Sequence, residues 1–448
     1  MQTQARSFVG IRSNLGDRRH NLRVAIRRLE HIGFLVERVS PVVETPAAVP
    51  TTVPSDWNAP SLSIALKGTY EGSPEELLRH VRAIERHFSS STHHPAAPQP
   101  IRIYLLLFGG ALRQPPGLAL PFPRLVNSSY LLAPMVALAP RLTLPGHGPR
   151  TLIDWSRTLP HQPPLWMGIV NVTPDSFSDG GAYISADQIM ARVESLDVAG
   201  AQIVDLGAES TRPGARPLTA KEEWSRLDPV LPVLLERYRM DPLRPRFSLD
   251  TYHPEVARRG LELGIDIIND VSGLSSPAML DLARASDADF VAMHHLSVPA
   301  STSMRLPRDI DPIAMVESWL LQKLETWDRS GLDLDRILFD PGVGFGKTSL
   351  QSLALIQHAA RFRRHGLRVL VGHSRKSFMR TLANQNPADR DGATLGASLH
   401  LCTQGVDVIR VHNVELHTTT YRGWMQFQAR SAVKSDAPDS IRVGYHRS

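Results

Sequence analysis

The chain has 448 residues, 42% hydrophobic and 21% charged, enough for two or three domains with apolar cores. Its single cysteine, Cys402, excludes an internal disulfide; no apolar run approaches the roughly 20 residues a bilayer span needs and no secretory leader opens the chain, so it reads as cytoplasmic with no membrane partner. The net charge of +6 is uneven, with 17 Arg and Lys against 9 Asp and Glu in residues 1–150 and 33 against 35 in the rest, but the arginines are scattered without interleaved aromatics, which argues against nucleic acid.

In chain order, VGIRSNLG, LVERVSPVVET, SLSIALKGTY and IRIYLLLFGG predict strands. NLRVAIRRLEHIG and SPEELLRHVRAIERHF predict helices, the second with Ser73 as N-cap and Glu76 at the capping-box position. This order over residues 1–140 predicts a small α+β, ferredoxin-like sandwich. Residues 141–164 are proline-rich, lack periodicity and read as a linker. From 165 to 430, short apolar runs (WMGIVNVT, AQIVDLGAES, RFSLDT, IDIINDV, ADFVAMHH, RILFDPGVG, RVLVGHSR, VDVIRVHNV) alternate with amphipathic stretches, several closed by glycine. Strands buried on both faces alternating with helices predict a parallel sheet. Eight such units in about 260 residues predict a (β/α)8 TIM barrel over an open sheet. The polar tail 431–448 is predicted disordered.

Chemistry in such a barrel belongs at the C-terminal strand ends. Those ends carry Asn171; Asp205 and Glu209; Asp250; Asn269 and Asp270; His294; Asp340; Ser374, Arg375 and Lys376; and Arg410 and His412. Any one of these alone is more simply a helix cap or a buried structural polar group. Eight strands delivering to one rim is a site. Asp, Asn and Lys at close quarters suit a flat heterocycle rich in donors and acceptors, and Arg410, His412 and Arg212 suit an anion such as pyrophosphate. No Cys/His cluster points to zinc and no Ser–His–Asp arrangement to nucleophilic attack. PGVGFGKT (341–348) imitates a phosphate-binding loop, but Pro341 stands where that loop needs its first glycine.

The segments NVTPDSFSDGG (171–181), DLGAESTRPGA (205–215), SLDT (248–251), INDVSG (268–273), DPGVGFGKT (340–348), GHSRKSF (372–378) and RVHNV (410–414) resemble, in order, the signature segments of dihydropteroate synthases, the folate-pathway enzymes that sulfonamides target. The resemblance implies a transferase. The amine of p-aminobenzoate displaces pyrophosphate from the exocyclic CH2 of a hydroxymethyldihydropterin pyrophosphate and yields dihydropteroate. By position, Asp250, Asn269, Asp340 and Lys376 match the groups that hydrogen-bond the pterin, and Met293 and Phe345 its apolar walls. Arg410, His412, Asn171 and Arg212 match the pyrophosphate side, with Mg2+ held at Asn171; Thr211, Arg212, Pro213 and Ser377 match the p-aminobenzoate side. The catalytic set implied is Lys376, Arg410, His412 and Asp340, in a homodimer of the family type. The first two βα loops are expected to act as lids. Two positions depart from the pattern: His412 precedes Asn413 where the family has Asp, and strand five ends Met-His-His. A pterin-binding methyltransferase barrel is the competing class, and STRPG and SRKSF speak against it.

RSNLGDRRHNLRVAIRRL (12–29), ETP (44–46), LLLFGG (105–110) and LAPMVALAP (132–140) resemble hydroxymethyldihydropterin pyrophosphokinase, which makes the synthase's substrate and occurs fused to it. Its Asp-x-Asp pair, which holds Mg2+ between ATP phosphates, falls at Arg102 and Tyr104. SSSTHHPAAPQP (89–100) replaces its arginine-rich loop, Pro121-Phe122-Pro123-Arg124 its Pro-His-Pro-Arg motif, and Ser63 its pterin-reading Asn. These losses predict a degenerate, inactive kinase domain. A bifunctional kinase and synthase is the alternative.

Overall fold

The computed structural model describes residues 5–47, 53–54, 57–88, 97–159, 162–172, 185–209, 216–298, 304–382 and 387–432. The N-terminal strands are β1 (Ala5–Ser13), β2 (Leu35–Val39), β3 (Val43–Thr45), β4 (Ser61–Tyr70) and β5 (Arg102–Phe108). They form an antiparallel sheet in the order β2-β4-β1-β5, with β3 also on β4. Strand alternation sorts its two faces. Val9, Ile11, Ile64 and Ile103 pack under α1 (Arg18–His31) and α2 (Pro74–His87), and the predicted Ser73–Glu76 capping box starts α2. Phe8, Ala65 and Leu106 pack against α3 (Ser129–Leu138). All of Leu131–Leu138 is buried, so α3 has no solvent face and must be covered on both sides.

The segment read as a linker is instead packed. Thr143 bridges Thr151, which forms a capping box with Asp154 at the start of α4 (Leu152–Ser156). Leu144, Leu152 and Ile153 are buried with α3. A five-residue helix is too short to show periodicity, which is why the sequence pattern missed it. The tail from 433 lies outside the described residues.

The barrel is closed and parallel. Its strands, β6 (Leu165–Asn171), β7 (Ile203–Gly207), β8 (Arg246–Asp250), β9 (Ile267–Asp270), β10 (Asp289–Met293), β11 (Ile337–Asp340), β12 (Arg368–Gly372) and β13 (Val408–Val411), neighbour one another in sequence order, and β13 closes onto β6. Between and after them run α5 (Ala186–Val198), α6 (Ala220–Leu227), α7 (Leu231–Tyr238), α8 (Pro254–Leu263), α9 (Pro277–Ala285), α10 (Pro312–Arg329), α11 (Ser349–Gln357), α12 (Pro387–Thr403) and α13 (Val414–Ala432). No helix among the described residues is long and apolar enough to cross a membrane.

The N-terminal domain sits at the lower end of this barrel. Val43 of β3 and Ala133 and Ala137 of α3 share one buried cluster with inward-facing residues of seven barrel strands, among them Leu165, Ile203, Ile267 and Val408. Arg368 donates to the Ala137 carbonyl (3.1 Å), so a barrel arginine caps the C-terminus of α3. Arg363, buried and paired bidentately with Asp407 (2.9 and 3.0 Å), also donates to Ser156 Oγ of α4 (2.7 Å). Arg19–Asp197 (3.0 Å), Arg23–Asp241 (2.7 Å) and Arg422–Glu44 (2.6 Å) cross the same junction nearer to solvent and stabilise it less.

Candidate active site

The upper rim gathers charge from strands far apart in sequence. Arg410, on β13, donates to Asp205 Oδ2 of β7 (2.6 Å) and Asp250 Oδ2 of β8 (2.8 Å). Asn269, at the end of β9, donates to the same Asp205 oxygen (3.2 Å). Asp205 thus orients two of the expected ligand-binding groups, a role the sequence reading did not give it. Its Oδ1 is buried with no partner among the described residues. Burial is the largest influence on Asp250 and pushes its pKa up to about 7; Arg410 opposes the rise, and Asp205, Asp270 and Glu209 add to it.

Beside this group, β11 ends in Asp340, whose Oδ1 accepts from the Gly342 amide (2.7 Å). Burial raises its pKa, against the attraction of Lys376. Lys376 follows β12, donates to the Val343 carbonyl (2.5 Å) and places Nζ 4.7 Å from the Phe345 ring centre. Burial lowers its pKa to about 8, Asp340 opposes this and Arg410 reinforces it. Met293, at the end of β10, is buried close by in the strand order. Asp250, Asn269, Asp340, Lys376, Met293 and Phe345 therefore share one rim, on strand ends or the turns that follow them.

The loop after β11 is pinned by a residue read only as part of the phosphate-loop lookalike. Lys347 is buried and its Nζ donates to His294 Nδ1 (2.9 Å), the His294 carbonyl (3.4 Å) and the Phe345 carbonyl (3.0 Å). That ammonium is spent inside the protein, which agrees with rejecting a phosphate loop. Gly342 lies at φ +65°, and a Cβ there would come 1.9 Å from the His294 carbonyl oxygen. Gly342→Ala should therefore lower the thermal midpoint by the equivalent of about 3 kcal/mol or more and weaken pterin binding, as calorimetry and a pterin titration would record.

On the anion side, His412 Nδ1 lies 3.0 Å from Ser374 Oγ, and Oγ also accepts from the His412 amide (3.3 Å). Ser374 is a further orienting residue that the signature alone did not mark. Asn171 ends β6, one strand over from β13. Ser377 is exposed at the start of a short helical turn after Lys376. Asn413 accepts from the Leu416 amide (3.1 Å) and so caps α13, a job a neutral amide oxygen does as well as a carboxylate. Thr211, Arg212 and Pro213 lie outside the described residues, as do most of both βα loops expected to be lids.

This geometry agrees with known proteins. The family model for pterin binding enzymes matches residues 167–412, and that for 7,8-dihydro-6-hydroxymethylpterin-pyrophosphokinase matches 8–140. The chain is 36% identical over 428 residues to the folate synthesis bifunctional protein of Chlamydia muridarum, covering 91% of this chain and 95% of that one. It is 36% identical over 252 residues to the dihydropteroate synthase of Escherichia coli, covering 56% and 87%. The chain belongs to the dihydropteroate synthase family. Among solved structures, the Xanthomonas albilineans synthase with 4-aminobenzoic acid aligns with a TM-score of 0.54 at 35% identity, over 59% of this chain and 93% of that one. The Anaplasma phagocytophilum synthase with 6-hydroxymethylpterin-monophosphate aligns at 0.53 and 36%, over 59% and 98%.

The chain carries both family matches, to the pterin binding enzymes and to the pyrophosphokinase. Relatives named folate synthesis bifunctional protein align over about nine-tenths of the chain, and they support the bifunctional alternative better than the expectation of a silent N-terminal domain. The positions behind that expectation lie on one sheet face. Arg102 pairs across β1 with Arg12, and Tyr104 packs its ring against Phe122 (5.2 Å) and Tyr130 (6.1 Å). Residues 89–96 of the replaced loop lie outside the described residues.

One carboxylate and imidazole group near the rim looks metal-like. Glu209, Glu223 and His253 lie close enough to share a cation. His253 Nε2, however, lies 3.0 Å from the Leu218 carbonyl, to which it donates. Burial pushes the Glu223 pKa up to about 8, and its Oε2 accepts from Thr251 Oγ1 (2.9 Å).

Proposed function

We propose that the barrel joins 6-hydroxymethyl-7,8-dihydropterin pyrophosphate to p-aminobenzoate. The observation that carries this is the convergence of Asp205, Asp250, Asn269, Asp340, Lys376 and Arg410 on one rim. In the reaction the C–O bond to pyrophosphate breaks with its electron pair leaving on the pyrophosphate. The amine nitrogen bonds to the CH2 carbon, and the amine proton passes to solvent. Asp250, Asn269, Asp340 and Lys376 hold the pterin edge between Met293 and Phe345. Arg410 and His412 meet the pyrophosphate charge as it develops, so catalysis is positioning plus electrostatic stabilisation. Thr211, Arg212, Pro213 and Ser377 take p-aminobenzoate. Mg2+ fits the oxygen chemistry of this side, where Asn171 offers one neutral oxygen and the substrate phosphates supply others; bound there, it neutralises leaving-group charge. We divide the chain into a pyrophosphokinase-like unit over 1–140 with 141–159 packed on it, and a synthase unit over 165–430. Its setting is a reducing cytoplasm and its assembly a homodimer.

The deciding measurement is pyrophosphate release. With the pyrophosphorylated pterin it should require p-aminobenzoate, and release without that amine, or none with it, would sink the synthase reading. The relatives favour a second, ATP-dependent step in the N-terminal domain. Arg102 and Tyr104 favour its loss, since neither anchors Mg2+. Supplying the pterin alcohol with ATP decides between them, because only a working kinase lets that mixture reach dihydropteroate.

The reaction should also respond to pH. Lys376 donates as a cation, the form present below its pKa of about 8. Its contribution is lost as pH rises through that value, so kcat/KM for the pterin should fall between about pH 7 and about pH 9. Lys376→Arg should move the fall out of this range, because a guanidinium stays charged.

A further inference from the structure

The junction between the two domains carries a buried clamp that, among the described residues, no expected site residue hydrogen-bonds. Asp289, the first residue of β10, is fully buried. Its Oδ2 accepts from Arg246 (2.6 Å) and Arg368 (3.1 Å), and its Oδ1 from Arg38 (3.1 Å). Arg246 begins β8 and Arg368 begins β12, while Arg38 belongs to β2 of the N-terminal domain. The surplus positive charge is shared with backbone carbonyls. Arg246 donates to Asp266 (3.0 Å), and Arg368 donates to Asp335 (2.7 Å) and to Ala137 (3.1 Å).

The three barrel members stand on alternate strands, which in this architecture share one interior layer. The upper end of each strand serves the rim. β8 ends in Asp250, β10 ends in Met293, and β12 leads within four residues of Gly372 to Lys376. Each strand is five residues long, so the clamp lies only about 13 Å below Asp250, Met293 and the Gly372 end of β12, along stiff hydrogen-bonded strands.

We propose that Arg38 of the N-terminal domain is a positioning residue for the synthase: by completing the Asp289 clamp it fixes the lower ends of β8, β10 and β12, so that Asp250, Met293 and Lys376 meet in register at the pterin. The role is independent of kinase chemistry and is a reason for the barrel to keep this domain whether or not the domain turns over. It rests on reading the rim as the pterin site.

The test uses the full-length chain with Arg38→Ala, and kcat, both KM values and the thermal midpoint are measured. KM for the pterin pyrophosphate should rise about 3- to 10-fold while KM for p-aminobenzoate stays put, and Arg38→Lys should restore most of the loss. A lowered thermal midpoint with wild-type kinetics would reduce Arg38 to a structural contact and overturn the proposal. An equal rise in both KM values would do the same, since it signals general loosening. Should the wild-type chain show no synthase turnover, the functional reading fails first; titration with 6-hydroxymethylpterin then tests the clamp directly, a weaker pterin Kd in Arg38→Ala supporting it and an unchanged one overturning it.

Discussion

Lys376→Ala should lower synthase kcat/KM by about two to three orders of magnitude, the loss expected when one preorganised charged donor is removed from a dry site. The fold should hold. Among the described residues the Lys376 ammonium makes one hydrogen bond, to the Val343 carbonyl, and rests over Phe345. Because burial already disfavours its charged form, removing it relieves a desolvation cost. A thermal midpoint at or slightly above wild type, together with collapsed turnover, is the expected pair of results. Turnover within about threefold of wild type would remove Lys376 from the pterin site.

Arg410→Ala should be as damaging to activity and, unlike Lys376→Ala, should also destabilise the barrel. The sequence places both residues at the rim and predicts that either loss leaves the fold intact. The structure separates them, because Arg410 bonds both Asp205 and Asp250. Removing the guanidinium leaves two carboxylates facing each other without their cation, a change that costs about 3–5 kcal/mol in buried pairs. Part of this is recovered by protonating Asp250, whose pKa then rises further above about 7. The destabilisation should shrink as pH falls, since the protonated form no longer needs the cation. Thermal unfolding of Arg410→Ala between about pH 5 and about pH 8 would show it as a wild-type gap that widens with pH.

The barrel was legible because each strand is a short apolar run ending in a polar residue, and because seven motifs follow one another in the family's order. The pterin side was legible for the same reason: Asp250, Asn269 and Asp340 are themselves strand ends, and Lys376 closes the next turn. What escaped depends on partners that sequence does not bring together. Asp205 becomes a hub only through Asn269, 64 residues away, and Arg410, 205 residues away. Lys347 was visible only as part of a signature segment and a false motif, since its partner His294 follows a different strand, β10. Arg38 and Asp289 look like ordinary solvated charges beside apolar runs until the domains are docked. The segment 141–159 hid because its helix is shorter than two turns. The kinase domain is a different case. Its departures at Arg102 and Tyr104 pointed to a silent domain, yet the relatives named folate synthesis bifunctional protein favour the bifunctional alternative.

The placement of α3 beneath the barrel has one more consequence. The pyrophosphokinase-like domain closes the end where the strands begin, and the synthase rim lies where they finish. Between them the inward-facing side chains of seven barrel strands form a packed layer with Val43, Ala133 and Ala137. Any pyrophosphorylated pterin made by the first domain is therefore expected to reach the second around the outside of the barrel rather than through its packed interior. Fusion here does not create a tunnel, so an added scavenging synthase should compete freely for the intermediate.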